Sequence, residues 1–128
     1  MGVVGTLLKN RRAGEAKLAW NLPNLSALET LVLTSDAFAD GEAIPAEHAG
    51  KRAGGENLSP QLSWNVPPAG TAEPLLVVED TDVPMPRPFV HCVALIEPRV
   101  RELPPGGLAA RNRLPGCACC APVWDVGT

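Results

Sequence analysis

Proline constrains this chain more than any other residue: 14 of its 128 positions are proline, and 12 of those fall at or after Pro60. Proline lacks the amide hydrogen and its ring clashes with the preceding turn, so each interior proline costs a helix about 3 kcal/mol. A helical bundle is therefore excluded, and the back half must consist of short strands joined by shaped loops. The length suits one domain, able to bury roughly two-thirds of its unfolded surface around a single core.

Composition excludes several functions. Eleven Lys and Arg against 14 Asp and Glu give a formal net charge of −3 and a pI near 5.3. Without a basic stripe to neutralise phosphates, the chain is not expected to bind nucleic acid. No apolar run reaches the roughly 18–20 residues of a membrane span. Of the four cysteines, Cys92 stands apart while Cys117, Cys119 and Cys120 crowd together, unlike a spaced disulfide framework. The opening Met1-Gly2 fits a loose myristoylation pattern that often arises by chance. Lys9, Arg11 and Arg12 follow the apolar stretch Val3–Leu8, the wrong order for a secretory signal. A cytoplasmic protein is expected.

Strand signals lie mid-chain. Residues 1–20 could hold one short helix, contacting through Leu7, Leu8, Leu18 and Trp20, although Gly14 interrupts it. Thr30–Thr34 and Leu62–Trp64 read as strands, and Leu75–Val78 as a buried strand entering an acidic corner, Glu79 to Asp82. Prolines at every second position make Val83–Pro88 an extended loop. Phe89–Ile96 carries the strongest strand pattern. Phe89, His91, Val93 and Leu95 share one face, and Val90, Cys92, Ala94 and Ile96 the other. From Leu103 the chain turns Pro/Gly-rich.

Chemistry gathers at the acidic corner. Asp80 and Asp82 are spaced so that an extended backbone would aim both carboxylates one way, with His91 on the next strand. Two carboxylates and an imidazole could bind a metal, run acid/base chemistry or frame a polar pocket. Asp80 and Asp82 could equally cap a loop by accepting backbone N–H bonds. Pattern alone leaves these readings open.

Four blocks in one order add a resemblance: Asn57 to Trp64, Pro67 to Thr71, Glu79 to Pro84, and Phe89-Val90-His91. Together with Leu33–Ser35, Phe38–Gly41, Ile44-Pro45 and His48–Gly50, they resemble the phosphatidylethanolamine-binding protein family in its bacterial, Raf kinase inhibitor-like branch. The resemblance covers about residues 30–107. It implies a mainly β, antiparallel Greek-key fold with a small anion-accepting pocket. Asp80, Asp82, Pro84, Phe89 and His91 match the family's first pocket motif and are the expected ligand-binding residues. The expected function is non-enzymatic binding of a small anionic or phosphorylated ligand, of the phosphate or phospholipid-headgroup type, with modulation of a protein partner as an added role. No cofactor and no metal are called for, and a homodimer or protein partner is left open. The alternatives are a metal-assisted hydrolase using Asp80, Asp82 and His91, and a non-functional fragment with exposed strand edges.

The sequence departs from the family at two places. The corner reads Asp80-Thr81-Asp82-Val83-Pro84 where the family writes Asp-Pro-Asp-Ala-Pro. Cis costs a non-proline bond about 2.5–4 kcal/mol, so Thr81 implies a trans bond and a re-aimed Asp82. Past Gly116 the family's Gly-Tyr and Gly-His-x-Pro-His-Arg stretches give way to Cys117-Ala118-Cys119-Cys120. The expected organisation is a partly helical extension over 1–29, a truncated β domain over 30–107, and an irregular tail over 108–128 that reads as out of frame from about 117. A Cys-x-Cys-Cys metal site is the competing reading of that tail.

Overall fold

The long apolar and β-branched runs do become strands, and they pair into two antiparallel sheets, the mainly β architecture expected. The computed structural model describes residues 11–25 and 31–108, and the backbone of 117–122. One sheet has β1 (Leu33–Thr34), β2 (Leu62–Trp64) and β5 (Glu102–Leu103) in the order β1-β2-β5. The other has β3 (Leu75–Asp80), β4 (Phe89–Ile96) and β6 (Cys117–Pro122) in the order β3-β4-β6. The chain crosses between sheets after β2, after β4 and again after β5, so much of its pairing is non-local.

The core lies between the sheets. Leu62 and Trp64 project from β2 and Leu103 from β5, against Cys92, Ala94 and Ile96 from β4, with Leu108 closing one side. Ile96, Leu103 and Leu108 are no more than 2% exposed, and burial of such a side chain stabilises by about 1.5–3 kcal/mol. Cys92, expected as a small buried hydrophobe, is 1% exposed and belongs to this core. Leu31, Leu76, Val78 and Val100 pack around the cluster half-buried.

Two expectations change. Among the described residues there is no α-helix near the N-terminus. Only a 3-10 turn, Ala19–Asn21, forms there, after Gly14 at φ 72°; a backbone in the left-handed region cannot continue a right-handed helix. Leu7 and Leu8 lie outside the described residues. The tail expected to be irregular carries β6, which pairs with β4 from Cys92↔Pro122 to Ile96↔Cys117. The side of β4 away from β3 carries backbone donors and acceptors, and a neighbouring extended segment satisfies them whatever its side chains.

Between β1 and β2 the chain makes two 3-10 turns, Ala46–His48 and Lys51–Ala53. Backbone bonds clip them to residues 56–58: Glu56 N–H to Glu47 O at 3.0 Å, Asn57 N–H to Ala49 O at 2.9 Å and Leu58 N–H to Glu47 O at 3.3 Å. This clipped loop holds His48 beside Leu58, ahead of β2 in the chain. Among the described residues no helix is long and apolar enough to cross a membrane.

Candidate functional site

A cleft of about 1620 Å³ opens between the β2 face and the outer edge of β3. Leu62, Trp64 and Ile96 wall it on the core side, and β3 contributes Leu75 through Asp80. Residues Glu15, Leu18, Ala19 and Trp20 line it from the N-terminal segment. Asp80 and His91 stand in its wall together.

The meeting of Asp80 and His91 depends on an irregularity. Val78 pairs with Cys92 but the next residue, Glu79, pairs with Val90, which leaves His91 as an extra residue in β4. Such a bulge re-aims the inserted side chain and shifts the alternation on either side of it. Strict alternation places His91 and Ile96 on opposite faces, yet both line the cleft. His91 Nε2 lies 3.8 Å from Asp80 Oδ2, beyond hydrogen-bond length but within ion-pair range, with side chains 35% and 41% exposed. The Phe89 ring meets the imidazole edge-on, centroids 4.9 Å apart and planes at 72°.

The two carboxylates of the corner do not act in parallel. β3 ends at Asp80, and Asp80 Oδ1 accepts the backbone N–H of Asp82 at 2.7 Å. This is the loop-capping role open to Asp at a strand end, and it leaves the other oxygen of Asp80 facing His91. The Asp80–Thr81 bond is trans. Asp82 points outward, its side chain 73% exposed, and pairs with the guanidinium of Arg12. Pro84 is exposed as well. Of the five residues expected to bind ligand, Asp80 and His91 line the cleft and Phe89 packs on His91, whereas Asp82 and Pro84 lie outside the lining.

His48 belongs to a block that resembles the family, but the pattern assigns it no role. It is buried in the cleft wall, and its Nδ1 lies 2.7 Å from the Leu58 carbonyl oxygen. A carbonyl only accepts, so Nδ1 carries the hydrogen. Nε2 has no hydrogen-bond partner among the described residues, although a Glu47 carboxylate oxygen stands 3.5 Å away. Trp64 Nε1 is likewise buried without a hydrogen-bond partner among the described residues. No sequence signal separates such a histidine from an ordinary loop residue. Among the described residues no three His, Cys, Asp or Glu side chains gather as a metal site.

The chain is similar to known proteins along most of its length. It is 34% identical over 119 residues, 88% of this chain and 55% of the other, to the UPF0098 protein Rv1910c of Mycobacterium tuberculosis. It is 35% identical over 77 residues to the UPF0098 protein YbhB of Escherichia coli, covering 58% of this chain and 49% of that one. The chain thus spans about half the length of these curated relatives. The solved structure of Escherichia coli YbcL, described as a new member of the mammalian PEBP family, superposes with a TM-score of 0.62 at 27% identity, covering 69% of this chain and 57% of that one. The model of the phosphatidylethanolamine-binding protein family matches residues 34–117, which include every strand from β2 to β5 and the corner that faces His91. The chain belongs to the phosphatidylethanolamine-binding protein family.

Proposed function

We propose that this chain binds a small anionic or phosphorylated ligand, without turning it over, at the Asp80–His91 end of the cleft. The observation that carries the reading is the bulge at His91, which turns an imidazole into a largely apolar cleft beside a half-buried carboxylate. An imidazole donates to phosphate oxygens, and Asp80, with one oxygen engaged by the turn, can hold the ring's orientation. The apolar walls, from Leu75 to Val78 and from Leu62 to Trp64, suit an ester or acyl group attached to such a headgroup. A hydrolase reading needs a third metal ligand or a nucleophile beside His91, and Asp82 is held away by Arg12.

The test is calorimetric titration of the purified chain with inorganic phosphate and with phosphoethanolamine. Saturable heat that disappears in both His91→Gln and Asp80→Asn supports the reading. Absence of heat and of any thermal shift refutes it, and turnover of a phosphoester that is lost in His91→Ala would replace it with the hydrolase.

A further inference from the structure

The strand order β3-β4-β6 puts β3 at the edge of its sheet. Ile96 N–H donates to Pro74 O at 2.9 Å, which makes these two a hydrogen-bonded pair one step before Leu75↔Leu95. Bonded and non-bonded pairs alternate along an antiparallel ladder. Leu76 and Val78 therefore bond β4, whereas Leu75 and Val77 turn their N–H and C=O groups to the outer side. Among the described residues nothing bonds those outward groups. Every residue from Leu75 to Asp80 lines the cleft, whichever face of β3 its side chain takes, so the cleft runs along this open edge. Its volume of about 1620 Å³ far exceeds that of a phosphate ion. Leu25, Leu75, Leu33, Ile44 and Trp20 also line it, and they are 41–67% exposed.

Outward backbone groups at a strand edge are a template for another strand, and charge selects which strand fits. The charged groups of the lining are Glu15, Glu79 and Asp80 against Lys51 and Arg52, beside His48 and His91. Glu79 and Asp80 close the downstream end of β3. Glu15 lies four residues ahead of Ala19, whose N–H bonds the Glu79 carboxylate at 2.8 Å. Lys51 and Arg52 come from the loop ahead of β2. Arg12 and Lys17 are engaged by Asp82 and by Pro86 O, outside the lining. We propose that the open edge of β3 takes an extended peptide of a partner protein as an added antiparallel strand. That peptide is apolar and β-branched along Leu75–Val78 and basic at its N-terminal end. An antiparallel strand starts where β3 finishes, so its first residue falls beside the carboxylates. Four residues of edge span about 13 Å, room for a partner segment of similar length. The inference does not rest on the anion reading above.

The experiment titrates the acetylated, amidated peptide Lys-Val-Thr-Val-Thr-Val into the ¹⁵N-labelled chain at low ionic strength. Saturable binding should slow hydrogen exchange at the Leu75 and Val77 amides and leave Leu76 and Val78, already bonded to β4, unchanged. A glutamate in place of the peptide's lysine reverses one charge. Acting on a single carboxylate roughly 8 Å away in water, that reversal weakens binding about sixfold. N-methylation of the peptide's Val and Thr amides keeps the side chains, removes the donors and should abolish saturation. Val77→Pro deletes one outward N–H from an edge strand, where proline is tolerated, and should weaken the peptide at least about fivefold. Leu75→Pro repeats the test at the other outward amide, and protected Leu76 and Val78 amides show that the β3–β4 ladder survives in each variant. A peptide that does not saturate, that binds without protecting Leu75 and Val77, or that binds equally when N-methylated overturns the proposal. Equal binding of the glutamate peptide overturns its basic end. A dimeric wild-type chain with Leu75 and Val77 already protected overturns it in favour of a second copy on the same edge. Phosphate binding without peptide binding overturns the added strand and leaves the anion reading intact.

Discussion

Gly55 is the position where one added carbon should do most damage. A Cβ built there would lie 2.6 Å from the Ala49 carbonyl carbon, and closer still to the carbonyl oxygens of Ala49 and Ala46. All these obstacles are backbone, so no side chain can swing aside. The clipped loop must open by about an ångström to reach ordinary contact distance. That movement works against the bonds from Gly55 N–H to Gly50 O at 3.2 Å and from Asn57 N–H to Ala49 O at 2.9 Å. Losing or stretching two backbone bonds costs about 1–3 kcal/mol, and forced displacement of packed backbone adds a similar amount. Gly55→Ala should therefore destabilise by about 2–6 kcal/mol, a fall in melting temperature of roughly 10–20 °C for a chain of this size. Gly50 is the internal control. It has φ −62° and nothing within 4 Å of an added Cβ, so Gly50→Ala should be neutral or stabilise by about 0.4–1 kcal/mol. Urea unfolding followed by tryptophan fluorescence measures both. A Gly55→Ala chain within about 0.5 kcal/mol of wild type would refute the packing described for this loop.

Two further substitutions probe the polar groups beneath the core. Ser59 is 2% exposed and its Oγ accepts the Leu108 N–H at 3.2 Å; Ser59→Ala leaves that buried donor unpaired and should cost about 1–3 kcal/mol in urea unfolding. Gln61 accepts the Asp36 N–H at 2.8 Å and donates to Glu102 Oε1 at 3.1 Å. Gln61→Glu sets two carboxylates face to face and should destabilise by about 1–3 kcal/mol, with Glu102→Gln restoring most of the loss in a double-mutant cycle.

Local pattern is legible where one strand can be recognised by itself. Leu62–Trp64 and Phe89–Ile96 are strands with the bounds the alternation predicts. β3 runs two residues farther than its apolar run, to Asp80, because Val90 and Phe89 supply ladder partners for Glu79 and Asp80. β1 is shorter than the run Thr30–Thr34 suggests. Among the described residues only Leu33 and Thr34 pair with β2, and the Val32 N–H bonds the Asn65 side chain instead. β5 and β6 are pairings with distant strands and have no local signature. The site is legible in its residue types but not in its geometry. Spacing puts Asp80 and His91 on neighbouring strands, yet the bulge that turns His91 into the cleft follows from the pairing of β3 with β4. The outward turn of Asp82 follows from a hydrogen bond to Asp80 and from Arg12, which lies far back in the chain. The contacts of residues 12–21 with the acidic corner cannot be read from that segment alone, because its partners lie between Glu79 and Pro86.

A chemical-shift titration of the ¹⁵N-labelled chain with inorganic phosphate reports directly on the His91 imidazole nitrogens and the backbone amides of Asp80, Thr81 and Asp82. Anion binding at this end of the cleft predicts that these signals move together along one saturation curve, with amides around Arg99 and Glu102 unmoved. Saturable shifts confined to other parts of the surface, with the His91 imidazole unchanged, would contradict it.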